Sequence, residues 1–241
     1  MKKSVFIVLL IAPIFFVQPA NSQEVYAMSS WENLFQWADI EGTPQNSTNI
    51  TERLRYTLVL NVGQYWHVDF NNSLGLYSGL AIRNVGFIYD TDIPTKTIRR
   101  SYNLGVPLAL KLGVFDKHLY IFGGGEYELL FHYKGKRWNS NNRDGTKIKD
   151  SEWFSPKTKR FVPSLFGGIQ FPRGFNIKYK YYLDHFLNSD YVGNDLNDPN
   201  NPNVNFGDYT NIQMHYISIC WQFRTDQWKK YVPTDKVALN N

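Results

Sequence analysis

The 241 residues carry 26 Lys and Arg against 21 Asp and Glu, and the formal charge of +5 is too mild to point to a nucleic-acid partner. A lone cysteine, Cys220, excludes both an internal disulfide and a Cys-rich metal site. Aromatic residues make up 17% of the chain (16 Tyr, 17 Phe and 7 Trp), which suits β-structure, and the length suits one large β domain.

Met1, Lys2 and Lys3 give a basic start, Ser4 to Val17 is apolar, and Ala20-Asn21-Ser22 places small residues before a cut. This predicts a secretory signal peptide over 1–22, cleaved before Gln23. The apolar run is short for a membrane anchor, and no Cys stands near the cut to carry a lipid. No later stretch reaches 18 apolar residues, so no transmembrane helix is predicted.

From residue 24 the chain reads as a series of alternating segments. In 24–39, Trp31, Asn33, Phe35 and Trp37 alternate with Glu32, Leu34 and Gln36; a strand and a short amphipathic helix both fit. After a loop over 40–51, Leu54 to Phe70 alternates strongly, with Leu54, Tyr56, Leu58, Leu60, Val62, Trp66, Val68 and Phe70 on one face. Asn71-Asn72-Ser73 is a tight turn. Leu74 to Tyr89 is the next strand, and its apolar phase slips near Asn84, which predicts a β-bulge there. Ile98 to Tyr133 reads as a hairpin of two strands of about 15 residues, where a soluble strand has roughly five or six. Lys134 to Lys159 is a long loop, Phe161 to Phe171 and Phe175 to Leu183 are strands around Pro172-Arg173, and Leu187 to Asp208 is a second long loop. Tyr209 to Phe223 is the last strand, and a polar tail is expected over 224–241.

Connections alternate between long and short. With 24–39 counted as a strand, the order predicts an all-β fold: an eight-stranded antiparallel up-and-down transmembrane β-barrel over 23–223, with short periplasmic turns and long extracellular loops. A soluble periplasmic lipid-binding barrel shows the same period with its apolar residues inward. The polar faces favour the membrane form. They mix small residues (Gly63, Gly75, Gly79, Gly105, Gly124, Gly168) with charges, as the filled interior of an eight-stranded barrel requires. The apolar faces carry Trp66, Tyr102, Tyr133 and Trp221 near strand ends, in the manner of aromatic girdles. Pro107 and Pro163 fall in mid-strand, where each removes a ladder donor.

The runs Leu104-Gly-Val-Pro-Leu-Ala-Leu-Lys-Leu112, Leu119-Tyr-Ile-Phe-Gly-Gly-Gly-Glu126, Ser78-Gly-Leu-Ala-Ile-Arg-Asn-Val-Gly-Phe87 and Lys178-Tyr-Lys-Tyr-Tyr182 resemble the small outer-membrane β-barrel proteins of the Bacteroidota, the PorT-like group. The resemblance spans roughly residues 53 to 223 and is a pattern of strands, not a catalytic motif. It implies an integral barrel in the cell outer membrane, in some members tied to secretion or gliding machinery.

Charges facing a narrow interior need partners. Glu126 and Glu128 are expected to point inward and to meet Arg83, Arg55 and Lys180 as a lumenal charge cluster, with Gly105 and Asn103 leaving the space between. The loop from Lys134 to Arg160 holds nine basic residues against three acidic ones, while Leu187 to Asp208 holds four Asp and no base. The two loops dock on each other, or the basic one meets lipopolysaccharide phosphates through Lys134, Lys136 and Arg137. Outer-membrane lipid, lipopolysaccharide and an envelope or secretion-complex protein are the expected partners, for a monomer without catalytic residues, metal or cofactor. Asp184-His185 with Ser189 and Asp190 forms the alternative of a rim hydrolase, but adjacent strand residues point to opposite faces. Asn194 to Asn200 offers oxygen ligands without the spacing of a calcium loop.

Overall fold

The computed structural model describes residues 24–43, 49–92, 95–198 and 203–225. The expected signal peptide and nearly all of the expected C-terminal tail lie outside the described residues. Eight strands build the wall: β1 (Glu24–Gly42), β2 (Val62–Asp69), β3 (Leu74–Thr91), β4 (Thr95–Val114), β5 (Leu119–Trp138), β6 (Phe161–Gln170), β7 (Phe175–Tyr182) and β8 (Tyr209–Arg224). Each pairs antiparallel with the next, and β8 pairs with β1 from Met28↔Arg224 to Gly42↔Tyr209, which closes the ring. The 24–39 segment is therefore a strand, not a helix. Its period reads weakly because its inward residues, Glu32, Leu34, Gln36 and Ala38, pass layers of different polarity.

Three short turns share one end with both ends of the ring. Asn71 Oδ1 accepts the N–H groups of Ser73 and Leu74 at 2.8 Å in the first. A 3-10 turn over Phe115–Lys117 makes the second. In the third, Gly174 has φ +83 and sits against the carbonyl of Gln222, where a Cβ would clash. At the other end the strands outrun the wall. The top of β5 pairs with a short strand, Lys147–Trp153, and the top of β3 pairs with another, Ile50–Arg53.

Two features depart from the expected register. No bulge occurs at Asn84: β3 keeps one parity from Leu74 to Thr91. The apparent slip arises because the interior near Val85, Phe87 and Tyr89 is itself apolar. The bulge lies instead on β5, where the register with β4 shifts between Tyr102 and Asn103 and Phe131 is the extra residue. A one-residue insertion exchanges inside and outside for all that follows. Below it Glu126, Glu128 and Leu130 face in; above it Tyr133 and Arg137 face in, and Lys134 and Lys136 face out. Tyr133, expected on the lipid side, is thus buried.

The stretch expected as one strand from Leu54 to Phe70 is broken. Arg55–Thr57 pairs with β1, then Leu58–Asn61 loops outward before β2 begins at Val62. Side chains replace the missing ladder toward β3. Asn61 Oδ1 accepts the Asn84 N–H at 2.8 Å and Asn61 Nδ2 donates to Thr57 O at 3.1 Å. Gln36 accepts the Gly86 N–H at 2.8 Å and donates to Asn84 O at 3.1 Å.

The interior is layered. Nearest the short turns, Lys111 bonds Asp69 beneath an aromatic layer of Tyr65, Tyr77, Tyr120, Phe122 and Phe166. A charged layer follows. Above it Leu34, Val85, Phe87, Leu130, Val162 and Met214 form an apolar layer that the loop residues Phe186, Leu187 and Phe206 cover. Outside, Val106, Leu108, Leu110 and Leu112 of β4, Ile121 of β5, Leu165 and Ile169 of β6, and Ile217 of β8 are exposed. Soluble monomers rarely expose apolar patches beyond a few hundred Å². With the aromatic rings Trp66, Trp221, Tyr127 and Phe161 exposed at its margins, this band is a lipid-facing wall, and closure satisfies its backbone. The chain is an integral outer-membrane β-barrel. A soluble barrel would turn polar residues outward along these strands, where this one exposes Leu108, Leu110, Leu112, Ile121 and Leu165.

Candidate functional site

The charged layer contains three carboxylates and three cations. Arg83 on β3 is its hub: Nη2 and Nε donate to the two oxygens of Glu32 at 3.0 and 3.2 Å, Nη2 also reaches Tyr65 OH at 2.9 Å, and Nη1 bonds Glu126. Lys178 Nζ donates to both Glu32 oxygens, at 3.1 and 3.0 Å. Lys180 Nζ donates to Glu126 Oε2 at 2.8 Å and to Glu128 Oε1. Tyr182 OH and Asn103 Nδ2 complete the Glu128 carboxylate, at 2.9 and 2.7 Å from Oε2. The layer is neutral in sum, and its side chains are at most 8% exposed. A Cβ on Gly105 would strike Glu126 Oε1, so the glycine makes room for the carboxylate.

The structure brings Arg83, Glu126, Glu128 and Lys180 together, but not Arg55. That guanidinium donates to Asn84 O at 3.0 Å and Asn84 Oδ1 at 2.6 Å, so it helps to seal the break before β2 instead of meeting a carboxylate. Two members stand outside the expected cluster, Glu32 and Lys178. The alternation puts Lys178 on the polar face of its strand beside Lys180, two residues away, but does not give its height. Glu32 lies in the segment whose secondary structure the sequence left open.

At the outer end the two long loops meet. Arg99 of β4, fully buried, donates to Asp195 at 2.9 and 2.6 Å, to Tyr133 OH at 2.7 Å, and lies 4.9 Å from the Phe206 ring centroid. Arg137 bonds Asp198, so this residue, expected at the lipid surface, instead points inward and anchors the acidic loop. The carboxylates of Asp195 and Asp198 are thus engaged by arginines. Lys134 and Lys136 do face outward, above the apolar band. Burial comes first, and the neighbouring Arg100, Lys147, Lys149 and Lys134 add to it, in pushing Lys136 below its ordinary lysine value.

The residues of the rim-hydrolase alternative are arranged otherwise than a triad. Asp184 accepts Lys159 Nζ at 2.6 Å and only the backbone N–H of His185, at 2.8 Å. Burial opposes the Asp184 charge, yet the Lys159 bond and that N–H hold its pKa below the usual carboxylate value. His185 Nδ1 accepts the Ile212 N–H at 3.1 Å, so the backbone, not Asp184, orients the ring.

No family model and no curated protein matches the chain. Among solved structures it is similar to the attachment invasion locus protein Ail of Yersinia pestis, at 12% identity and a TM-score of 0.32 over 82% of this chain and 99% of that one. The same protein in complex with the heparin analogue sucrose octasulfate gives 13% identity and a TM-score of 0.33, again over 82% and 99%. The outer membrane protein OprG of Pseudomonas aeruginosa gives 9% identity and a TM-score of 0.36 over 83% of this chain and 95% of that one.

Proposed function

We propose that the chain is a closed, monomeric, non-enzymatic barrel that serves the envelope as a binding, accessory or structural protein, working through its outer wall and loops. The observation that carries this is the filled lumen. Aromatic, charged and apolar layers follow one another from the short turns to the loops, and a neutral six-residue charge network crosses the middle. Eight strands enclose an interior that side chains can fill, and here they do. A non-enzymatic role also agrees with the engagement of His185 and Asp184 by backbone and lysine.

Purified protein in planar bilayers tests the closed-barrel reading. The expected result is no large, steady conductance at neutral pH; a stable open level in most insertions would refute it. The resemblance of the strand segments to PorT-like barrels makes an envelope or secretion-complex protein the partner to look for. Isolation from native outer membranes under mild detergent, with the co-purifying proteins identified, tests that part. Recovery as a lone monomer would argue for a structural or lipid-binding role.

A further inference from the structure

The outer wall carries a groove of about 500 Å³ between the outward loop at Leu58–Asn61 and the tops of β3, β4 and β5. Its lining divides by chemistry. Leu58, Val59, Ile88 and Ile98 are apolar, while Arg100 and Lys136 bring charge. The β5 bulge at Phe131 is what turns Lys134 and Lys136 outward to this face.

The register makes the charge arrangement unfavourable on its own. Arg100 stands directly opposite Lys134, and Lys136 directly opposite Lys149 of the Lys147–Trp153 strand. Like charges placed opposite each other destabilise a sheet. Among the described residues, no carboxylate forms an ion pair with Arg100, Lys134, Lys136 or Lys149. An anion set between these side chains would reverse the sign of each interaction.

The position narrows what that anion is. On β4 the outward residues run Leu104, Tyr102, Arg100 and Ile98 away from the apolar band, so the cations begin one residue pair above the girdle tyrosine. Lys134 Nζ lies 5.4 Å from the Tyr102 ring centroid. Headgroup phosphates lie just beyond a bilayer's hydrocarbon core, the level at which these cations begin, and the apolar part of the groove lies beside them.

We propose that the groove is a binding site for a phosphate-bearing, multiply acylated lipid of the lipopolysaccharide class. Arg100, Lys134 and Lys136 would take the phosphates, and Leu58, Val59, Ile88 and Ile98 would lie along an acyl chain. The inference rests on the outer-membrane reading but not on the closed lumen, since the groove is on the outer wall and a leaky barrel would still possess it.

The test uses the full mature chain in zwitterionic phosphatidylcholine nanodiscs. Binding of diphosphorylated lipid A, of its dephosphorylated form and of inorganic phosphate is read by native mass spectrometry. The wild type should retain the diphosphorylated lipid, and the double variant R100Q/K136Q should lose about tenfold or more in affinity, as expected for charge-assisted bonds to phosphate. K117Q, at the short-turn end, should bind as the wild type does. In nanodiscs without lipid A, R100Q/K136Q should be at least as resistant to heat unfolding on gels as the wild type, because two like-charge pairs are relieved. Equal retention of the dephosphorylated lipid, undiminished binding by R100Q/K136Q, or displacement of lipid A by millimolar inorganic phosphate would each overturn the proposal. A loss of stability in R100Q/K136Q without lipid A would overturn its electrostatic premise.

Discussion

Removing Arg83 should be the most damaging single change in the lumen. Arg83→Ala deletes both bonds to Glu32, the bond to Tyr65 OH and the bond to Glu126. It leaves three carboxylates facing two ammonium groups in a buried layer. Breaking a buried pair from one side costs about 3–5 kcal/mol, and the hub belongs at the upper end. Glu126→Ala is milder, about 3 kcal/mol, because each cation it releases keeps a carboxylate: Arg83 keeps Glu32, and Lys180 keeps Glu128. The double variant Arg83→Ala/Glu126→Ala removes one charge of each sign and restores balance, so its cost should fall short of the sum by about 1–3 kcal/mol. The assay is urea unfolding in lipid vesicles, followed by the mobility of unheated samples on gels. With slopes of about 1–3 kcal/mol per molar urea, a 3 kcal/mol loss moves the midpoint down by roughly 1–3 M. If both single variants unfold at the wild-type midpoint, or if the double variant costs the full sum, the layer is not the coupled network drawn from its geometry.

Asp195→Ala should leave Arg99 buried among Tyr89, Tyr133 and Tyr209 without its carboxylate, releasing the 187–208 loop to external protease while bilayer conductance stays low, since the charged layer lies below. Asn61→Ala should cost about 1–3 kcal/mol in the same urea assay, because the Asn84 N–H loses its acceptor inside the wall. The lowered pKa of Asp184 means that its link to Lys159 stabilises the loops above the carboxylate's unfolded pKa and fails as pH falls through the folded value. Protease resistance of the loops should therefore drop on acidification, and Asp184→Asn should show the acid-like susceptibility already at neutral pH; a variant indistinguishable from wild type at pH 7 would refute the link.

Strand order, turn ends and the lipid-facing parity from Leu54 to Phe223 were legible because a period of two is written wherever one face meets lipid and the other meets a polar lumen. The code fails where that contrast fails. In β1 apolar and polar residues alternate on the inward face itself, and in the upper half of β3 the inward residues are apolar, so Leu34, Ala38, Val85 and Phe87 blur the alternation and imitate a bulge at Asn84 that does not exist. The true bulge at Phe131 is masked by the opposite accident. Phe131 and Tyr133 are both aromatic and read as one continuing face, although the extra residue sends Tyr133 inside.

The charge cluster was only partly legible for a related reason. Membership depends on the height of a side chain in the barrel, which the stagger between strands sets, while a single strand's sequence reports only the face. Arg83, Glu126, Glu128 and Lys180 share both face and height. Arg55 shares the face, but the outward loop at Leu58–Asn61 lies between it and the start of β2, so it meets Asn84 instead of a carboxylate. That loop and the Phe131 bulge are two departures from ladder regularity, and between them they shape the outer groove. One raises Leu58 and Val59 at its edge, and the other turns Lys134 and Lys136 to the outer face. An uninterrupted ladder would have put both lysines in the lumen, above a layer whose charges already balance. The irregularities therefore separate two groups of charge that the sequence runs together: a lumenal layer whose carboxylates and cations pair with each other, and a basic outer face where Arg100 stands opposite Lys134 and Lys136 opposite Lys149.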